Sequence, residues 1–227
     1  MSVHLQADLE ALHRDLLSMS ASVEDMIHRA VALLSQPDLQ RAEALAEQDS
    51  QIDRWDVAIE ENCLKILALH QPVAIDLRRI TTVLKIVGEL ERVADLAVNI
   101  AERACGLLDV PQVAVPDELK DMAQRAVDML HRSIDAYVAL DGDMARRVVA
   151  EDDEIDRANE LLINELIARM HDHHDRIDAF LHLFSAVRHV ERVGDHATNI
   201  AEDVVYLVEG QIIRHAGKLD RDNSAAT

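Results

Sequence analysis

The chain has 227 residues, 49% of them hydrophobic, enough for one large or two small cores. Aromatic residues are only 2%, with six Gly and four Pro, so the mixtures typical of sheets are missing and an all-α fold is expected. The formal charge of −20, from 43 acids against 23 bases, counts against nucleic acid or anionic lipid as a direct partner.

Apolar residues at three- and four-residue steps (Leu5, Leu9, Leu12, Leu16, Met19, Val23, Met26, Ala30, Leu33) predict a long amphipathic helix over 3–35. Gln36-Pro37-Asp38 ends it. A second helix is expected over 38–70 and a third over 72–108, with Pro72 in the tolerated first turn. The segment 110–116, with a Pro near each end, reads as a linker. The pattern then recurs: a helix over 117–140, a stop at Asp141-Gly142-Asp143, and a helix running to about 169. A polar turn follows at His171-Asp172-His173-His174-Asp175, then a helix over 178–209 before Gly210. The predicted organisation is a three-helix repeat over 1–109, the linker 110–116, a second repeat over 117–210 and a flexible tail over 211–227. Long amphipathic helices with short turns pack as antiparallel bundles, so two tandem three-helix bundles are expected. No leader peptide is expected before the first helix, and no apolar run approaches the roughly 18 residues of a membrane span. Cys63 and Cys105 lack metal-type spacing and read as small buried thiols of a reducing cytosol.

What recurs in the two halves is polar. Residues 91–102 read ERVADLAVNIAE and residues 191–202 read ERVGDHATNIAE, identical at nine of twelve positions. Asp49-Ser-Gln-Ile52-Asp53-Arg54 likewise recurs as Asp152-Asp-Glu-Ile155-Asp156-Arg157. On a helix a four-residue step turns about 400°, which puts Glu91, Asp95 and Asn99, and again Glu191, Asp195 and Asn199, in one stripe. Glu102 and Glu202 fall about 20° from the first Glu of each stripe.

One Glu-x-x-x-Asp pair alone reads as a solvated face. Four pairs at matched positions read differently, because Leu96 has become His196 and Val98 has become Thr198 while the oxygens stayed. Facing carboxylates either share protons or hold a cation. Asp49, Asp53, Glu91, Asp95 and Asn99, with Asp152, Asp156, Glu191, Asp195 and Asn199, are the candidate metal ligands. Such all-oxygen sets suit Mg²⁺, Mn²⁺, Ca²⁺ or iron; zinc would usually recruit His or Cys. Whether the motifs pair within a repeat or across the two is open at this level. Arg92 and Arg192 point about 100° away from the neighbouring Glu and are expected to pair with acids of an adjacent helix or to bind a partner. His171, His173 and His174 could hold a borderline metal, although such a cluster is more often solvated. His189 and His196 lie near the second acidic stripe alone.

The paired motif, with Gln71-Pro72-Val-Ala-Ile-Asp76-Leu77-Arg78 and Asp49-x-x-Ile52-Asp53, resembles the PhoU family of phosphate-transport regulators over roughly residues 5–210. The resemblance implies two three-helix bundles, no enzymatic activity, and metal clusters held by Asp49, Asp53, Glu91 and Asp95 and by Asp152, Asp156, Glu191 and Asp195. The ions it implies are hard ones, with iron, manganese, magnesium and zinc as the candidates. It also implies two partners, a sensor histidine kinase and the ATPase of a phosphate ABC transporter. The expected assembly is a homodimer, and the expected location is the cytoplasm, with the membrane reached through the transporter. Two positions depart from the family pattern: Ala94 stands where Gly is usual, and Arg54-Trp55-Asp56 where Glu-Leu-Glu is more frequent. The competing reading is a carboxylate-bridged di-metal protein, a ferritin-like oxidase or metal store. That class needs Glu-x-x-His on two helices, and only Glu10-x-x-His13 occurs.

Overall fold

The computed structural model describes residues 3–211 and residue 213. Among them the fold is all-α, without a strand. The first repeat comprises α1 (Val3–Ser35), α2 (Leu39–His70) and α3 (Ala74–Gly106); the second comprises α4 (Asp117–Ala139), α5 (Gly142–Asp172) and α6 (Ile177–Glu209). Apart from residues 211 and 213, the expected tail lies outside the described residues.

The helix starts follow from their caps. Asp38 accepts from the Arg41 N–H and Asp141 from the Met144 N–H, each satisfying a donor that the first turn leaves orphaned. Gly210 closes α6 in the left-handed region at φ 74°, where lack of a Cβ removes the usual penalty. Several bounds differ by one to three residues from the sequence-based expectation, and two of the differences have a plain cause. α5 runs on through His171 to Asp172, leaving His173 and a single 3-10 turn before α6, because polar residues do not by themselves end a helix. α3 starts at Ala74, since Val73 stays extended at φ −129° as its cap.

Each repeat packs its own three helices together, and the repeats join broadly along α3 and α6, with α1 also on α4. α3 and α6 are antiparallel: Arg78 near the start of α3 donates to the Leu207 carbonyl near the end of α6 at 3.2 Å. The two bundles therefore share one continuous apolar core, in which Leu16, Met26, Leu45, Ile52, Ile86 and Leu90 are fully buried. Each such side chain stabilises the fold by about 1.5–3 kcal/mol. α2 and α5 lie outermost, α2 against α1 and α3 and α5 against α4 and α6. The motif isoleucines fix these outer helices: Ile52 is 0% exposed and Ile155 is 1% exposed. Because Ile faces inward, the Asp residues flanking it are carried to the helix edge.

One expectation about cysteine fails. Cys63 is buried, but Cys105 is only half-buried near the end of α3. Burial first, then Glu60, pushes the Cys63 thiol up to about 12. The Cys105 thiol is also raised, by burial and then by Asp38, Glu102 and Glu43. Neither carries the thiolate that reactive cysteines need.

Candidate metal centre

The acids come together within each repeat. In the first, α2 supplies Asp49 and Asp53 and α3 supplies Glu91 and Asp95. Asp49 and Glu91 are half-buried, while Asp53 and Asp95 lie at the solvent edge. Burial, then repulsion from Asp95 and Asp53, pushes the Asp49 carboxyl up to about 6. Glu91 is raised by burial, then by Asp95, against the opposing pull of Arg92, with Asp56 and Asp53 adding to the rise. Asp56, which the motif does not include, is itself raised by burial, then by Glu60 and Asp53.

In the second repeat α5 supplies Asp152 and Asp156 and α6 supplies Glu191 and Asp195. Burial, then Glu191, Asp152 and Asp156, pushes Asp195 up to about 6, with His196 opposing. Asp195 keeps an edge in solvent, so its rise reflects the packed helices on its inner side rather than full enclosure. Glu191 is raised by burial, with Arg188 opposing and Asp156 and Asp152 adding. Its Oε1 accepts from Arg188 at 3.1 Å, while its Oε2 is buried without a hydrogen-bond partner. Asp152 accepts from the Thr198 hydroxyl at 3.1 Å.

A second orphaned oxygen belongs to the same face. Asn159 Oδ1 is buried without a partner. Asn159 is seven residues past Asp152, about 20° from it around the helix. The antiparallel register of α5 on α6 pairs Asp152 with Thr198 and Ile155 with Gly194. One step further it sets Asn159 opposite Glu191. The matching pair in the first repeat is Asp56 and Glu91, which repel each other. The repeat alignment, carried beyond its identical residues, holds the signal for both positions: Asp56 aligns with Asn159.

Other expected residues lie elsewhere. The Asn199 amide donates to Glu89 Oε2 on α3 at 3.2 Å, and His196 Nδ1 is 2.6 Å from the same carboxylate. Two four-residue steps carry Asn199 about 80° past Glu191, far enough to face the other repeat instead of α5. Asn99, half-buried, holds the equivalent place on α3. Arg92 and Arg192 are exposed and form no ion pair among the described residues, contrary to the expected bridges; an Arg one position past the Glu points outward. Glu102 pairs weakly with its neighbour Arg103 at 3.4 Å. His171, His173 and His174 are exposed at the α5–α6 turn, where His173 stacks toward Phe180. Glu10 and His13 line a cleft with Arg79 and Tyr137 that includes none of the repeated acids.

Among the described residues, no three His, Cys, Asp or Glu side chains close on one point as a ready-made cage. The chemistry of the set still fits a hard cation. Every donor is oxygen, four acids per repeat face one another, and two buried oxygens in the second repeat lack a partner.

The PhoU domain family model matches residues 16–104 and 119–204, one match in each repeat. The chain belongs to the PhoU family. A PhoU homolog of Pseudomonas putida, a phosphate-specific transport system accessory protein, is 37% identical over 220 residues, covering 96% of this chain and 85% of that protein. The accessory protein PhoU of Escherichia coli (strain K12) is 30% identical over 226 residues, covering 100% of this chain and 94% of that protein. The crystal structure of PhoU from Pseudomonas aeruginosa superposes with TM-score 0.87 at 36% identity, over 91% of this chain and 99% of that one. The phosphate transport system regulatory protein PhoU from Streptococcus pneumoniae superposes with TM-score 0.86 at 27% identity, over 92% of this chain and 98% of that one. The PhoU fold thus accounts for both repeats and for their antiparallel contact.

Proposed function

We propose that the chain is a non-catalytic regulator of phosphate uptake and phosphate-starvation signalling. It stands between the ATPase of a phosphate ABC transporter and a sensor histidine kinase, at the cytoplasmic face of the membrane. The observation that carries this reading is the pair of family matches spanning both repeats, with relatives named as accessory proteins of phosphate-specific transport. No helix among the described residues is long and apolar enough to cross a membrane, so the transporter is the route to it.

The same reading places hard metal ions between the outer and inner helices. Asp49, Asp53, Glu91 and Asp95, with Asp56, would hold one set; Asp152, Asp156, Glu191 and Asp195, with Asn159, would hold the other. A bound cation supplies positive charge that the carboxylates lack. Asp49 and Asp53 fasten α2 to α3 through that charge, and Asp152 and Asp156 fasten α5 to α6. Iron, manganese and magnesium suit these ligands better than zinc, since no His or Cys is among them. The ferritin-like alternative loses support, because Glu10 and His13 line a different cleft.

The test is a strain lacking this chain, with a phosphate-starvation reporter read at high external phosphate. The reporter should rise and return to its repressed level on complementation. A reporter that stays repressed without the chain, with phosphate uptake unchanged, would overturn the reading.

A further inference from the structure

Between α1 and α3 of the first repeat and α4 of the second lies a cleft of about 230 Å³. Gln6, Glu10, His13, Arg79 and Tyr137 line it, with the apolar Leu9 and Val138. Arg79 is half-buried yet forms no hydrogen bond or ion pair among the described residues. In a chain of charge −20 a half-buried guanidinium without a carboxylate partner is unexpected, since a partly desolvated charge costs free energy until it is paired. Glu10 shares the cleft but is engaged by Gln6 Nε2 at 3.1 Å.

The other polar groups are neutral donors. Tyr137 is 3% exposed and stacks toward His13, with ring centroids 5.8 Å apart. Burial pushes its phenol up to about 12, so the hydroxyl keeps its proton. Burial, then Arg79, lowers the His13 pKa, which favours the uncharged ring with one N–H. The cleft therefore offers one cation, one carboxylate acceptor, the neutral donors Tyr137 and His13, and the Gln6 amide.

We propose that this cleft binds a small oxyanion that carries its own proton, inorganic phosphate being the ligand of that chemistry. Arg79 supplies the charge, Tyr137 and His13 donate to the anion's oxygens, and Glu10 accepts the ligand's O–H. Glu10 sets the specificity. It repels an anion that has no proton to give, such as sulfate, and accepts from phosphate, which keeps one at neutral pH. Because the walls come from both repeats, the bound anion ties the first to the second. The site uses none of the repeated acids, so it stands or falls separately from the metal reading.

The experiment is calorimetric titration of the full chain, stripped of metal with chelator and dialysed, with phosphate and separately with sulfate. Phosphate should bind at one site, with sulfate at least about tenfold weaker. Arg79→Gln should weaken phosphate about tenfold or more, the usual loss for a charge-assisted hydrogen bond. Tyr137→Phe keeps the ring packing and should weaken it several-fold. Glu10→Gln should close most of the gap between phosphate and sulfate. Wild-type protein that binds neither anion would overturn the proposal, as would unchanged phosphate affinity in both Arg79→Gln and Tyr137→Phe. A phosphate–sulfate gap that Glu10→Gln leaves intact would overturn the role of Glu10. Metal analysis of the same samples reads the acidic clusters independently.

Discussion

The two acidic clusters descend from one repeated pattern and have become different electrostatic objects. In the first, Asp49, Asp53, Asp56, Glu91 and Asp95 are all carboxylates, opposed only by Arg92 at the edge. In the second, Asp56 has become Asn159, Arg188 stands where the first repeat has Gly88, and Thr198 stands where it has Val98. Arg188 and Thr198 each engage one of the acids. The second cluster thus meets more of its own charge from within the protein than the first does. A duplicated cluster can keep its acids and still diverge in how much of their charge the protein itself offsets.

The largest expected effect separates the clusters by metal retention. Asp49→Asn with Asp95→Asn should remove more bound manganese or iron than Asp152→Asn with Asp195→Asn, read by elemental analysis after identical dialysis. Stripping all metal should lower the melting temperature by about 5–10 °C, the scale for a ligand held at about a hundred times its Kd on a chain this size. Equal losses from the two pairs would break the comparison, and an unchanged melting temperature would make the metal incidental.

The next effect is pH dependence. An acid with a folded pKa above its unfolded value binds its proton more tightly when folded. Its stabilising share is therefore complete below the ordinary 3.8 of an aspartate and is lost as pH rises through about 6 for Asp49 and Asp195. Metal-free protein should melt higher at about pH 5 than at about pH 7.5, and metal-loaded protein should show the reverse, since protons displace the cation. Asp49→Asn and Asp195→Asn in metal-free protein should each flatten the rise. Thermal melts across that range check the sign, and a rise unaltered by both variants would place its origin elsewhere.

A smaller effect sharpens the difference. Arg188→Gln removes the ion pair on Glu191 and should tighten metal binding in the second cluster by about two- to fivefold, the range for an exposed pair. The fourth position of each motif copy, Ala94 and Gly194, affects stability and not metal binding. A Cβ added to Gly194 would lie 3.2 Å from Ile155, tighter than ordinary packing, whereas Ala94 already carries its methyl fully buried. Ala94→Gly should cost about 1–2 kcal/mol from lost helix propensity and packing. Gly194→Ala should change stability by less than about 1 kcal/mol, since crowding offsets the gain in helix propensity. Denaturant melts decide both, and a larger loss from Gly194→Ala would show that α5 has no room to give.

The helices were legible because their signals are local: apolar spacing over α1, and the breaks at Gln36-Pro37-Asp38 and Asp141-Gly142-Asp143. The acids of each pair were legible because identity between repeats singled them out. Asp56 and Asn159 carry no repeat signal because they differ from each other, although helical spacing from Asp49 and Asp152 puts them on the same face. Asn199 was assigned to the acidic stripe by a spacing that drifts about 40° per step, and the drift turns it toward Glu89. The meeting of Glu89 with His196 joins residues 107 apart, and the Lys85 ammonium reaches buried Asp203 at 2.9 Å over a separation of 118. Contacts between repeats leave no periodic trace within either one. The two bundles were legible for the same local reason as the helices, whereas composition left open whether their interiors form one core or two, and the contact of α3 with α6 makes them one.

The proposal that each repeat holds hard cations between its outer and inner helices underlies these metal-dependent effects. Anomalous diffraction at the manganese edge, on crystals of protein purified without chelator and equilibrated with Mn²⁺, tests it most directly. Anomalous peaks are expected between α2 and α3 beside Glu91 and between α5 and α6 beside Glu191, the first more fully occupied. No peak at either position after equilibration would contradict it, leaving the acids as solvated faces.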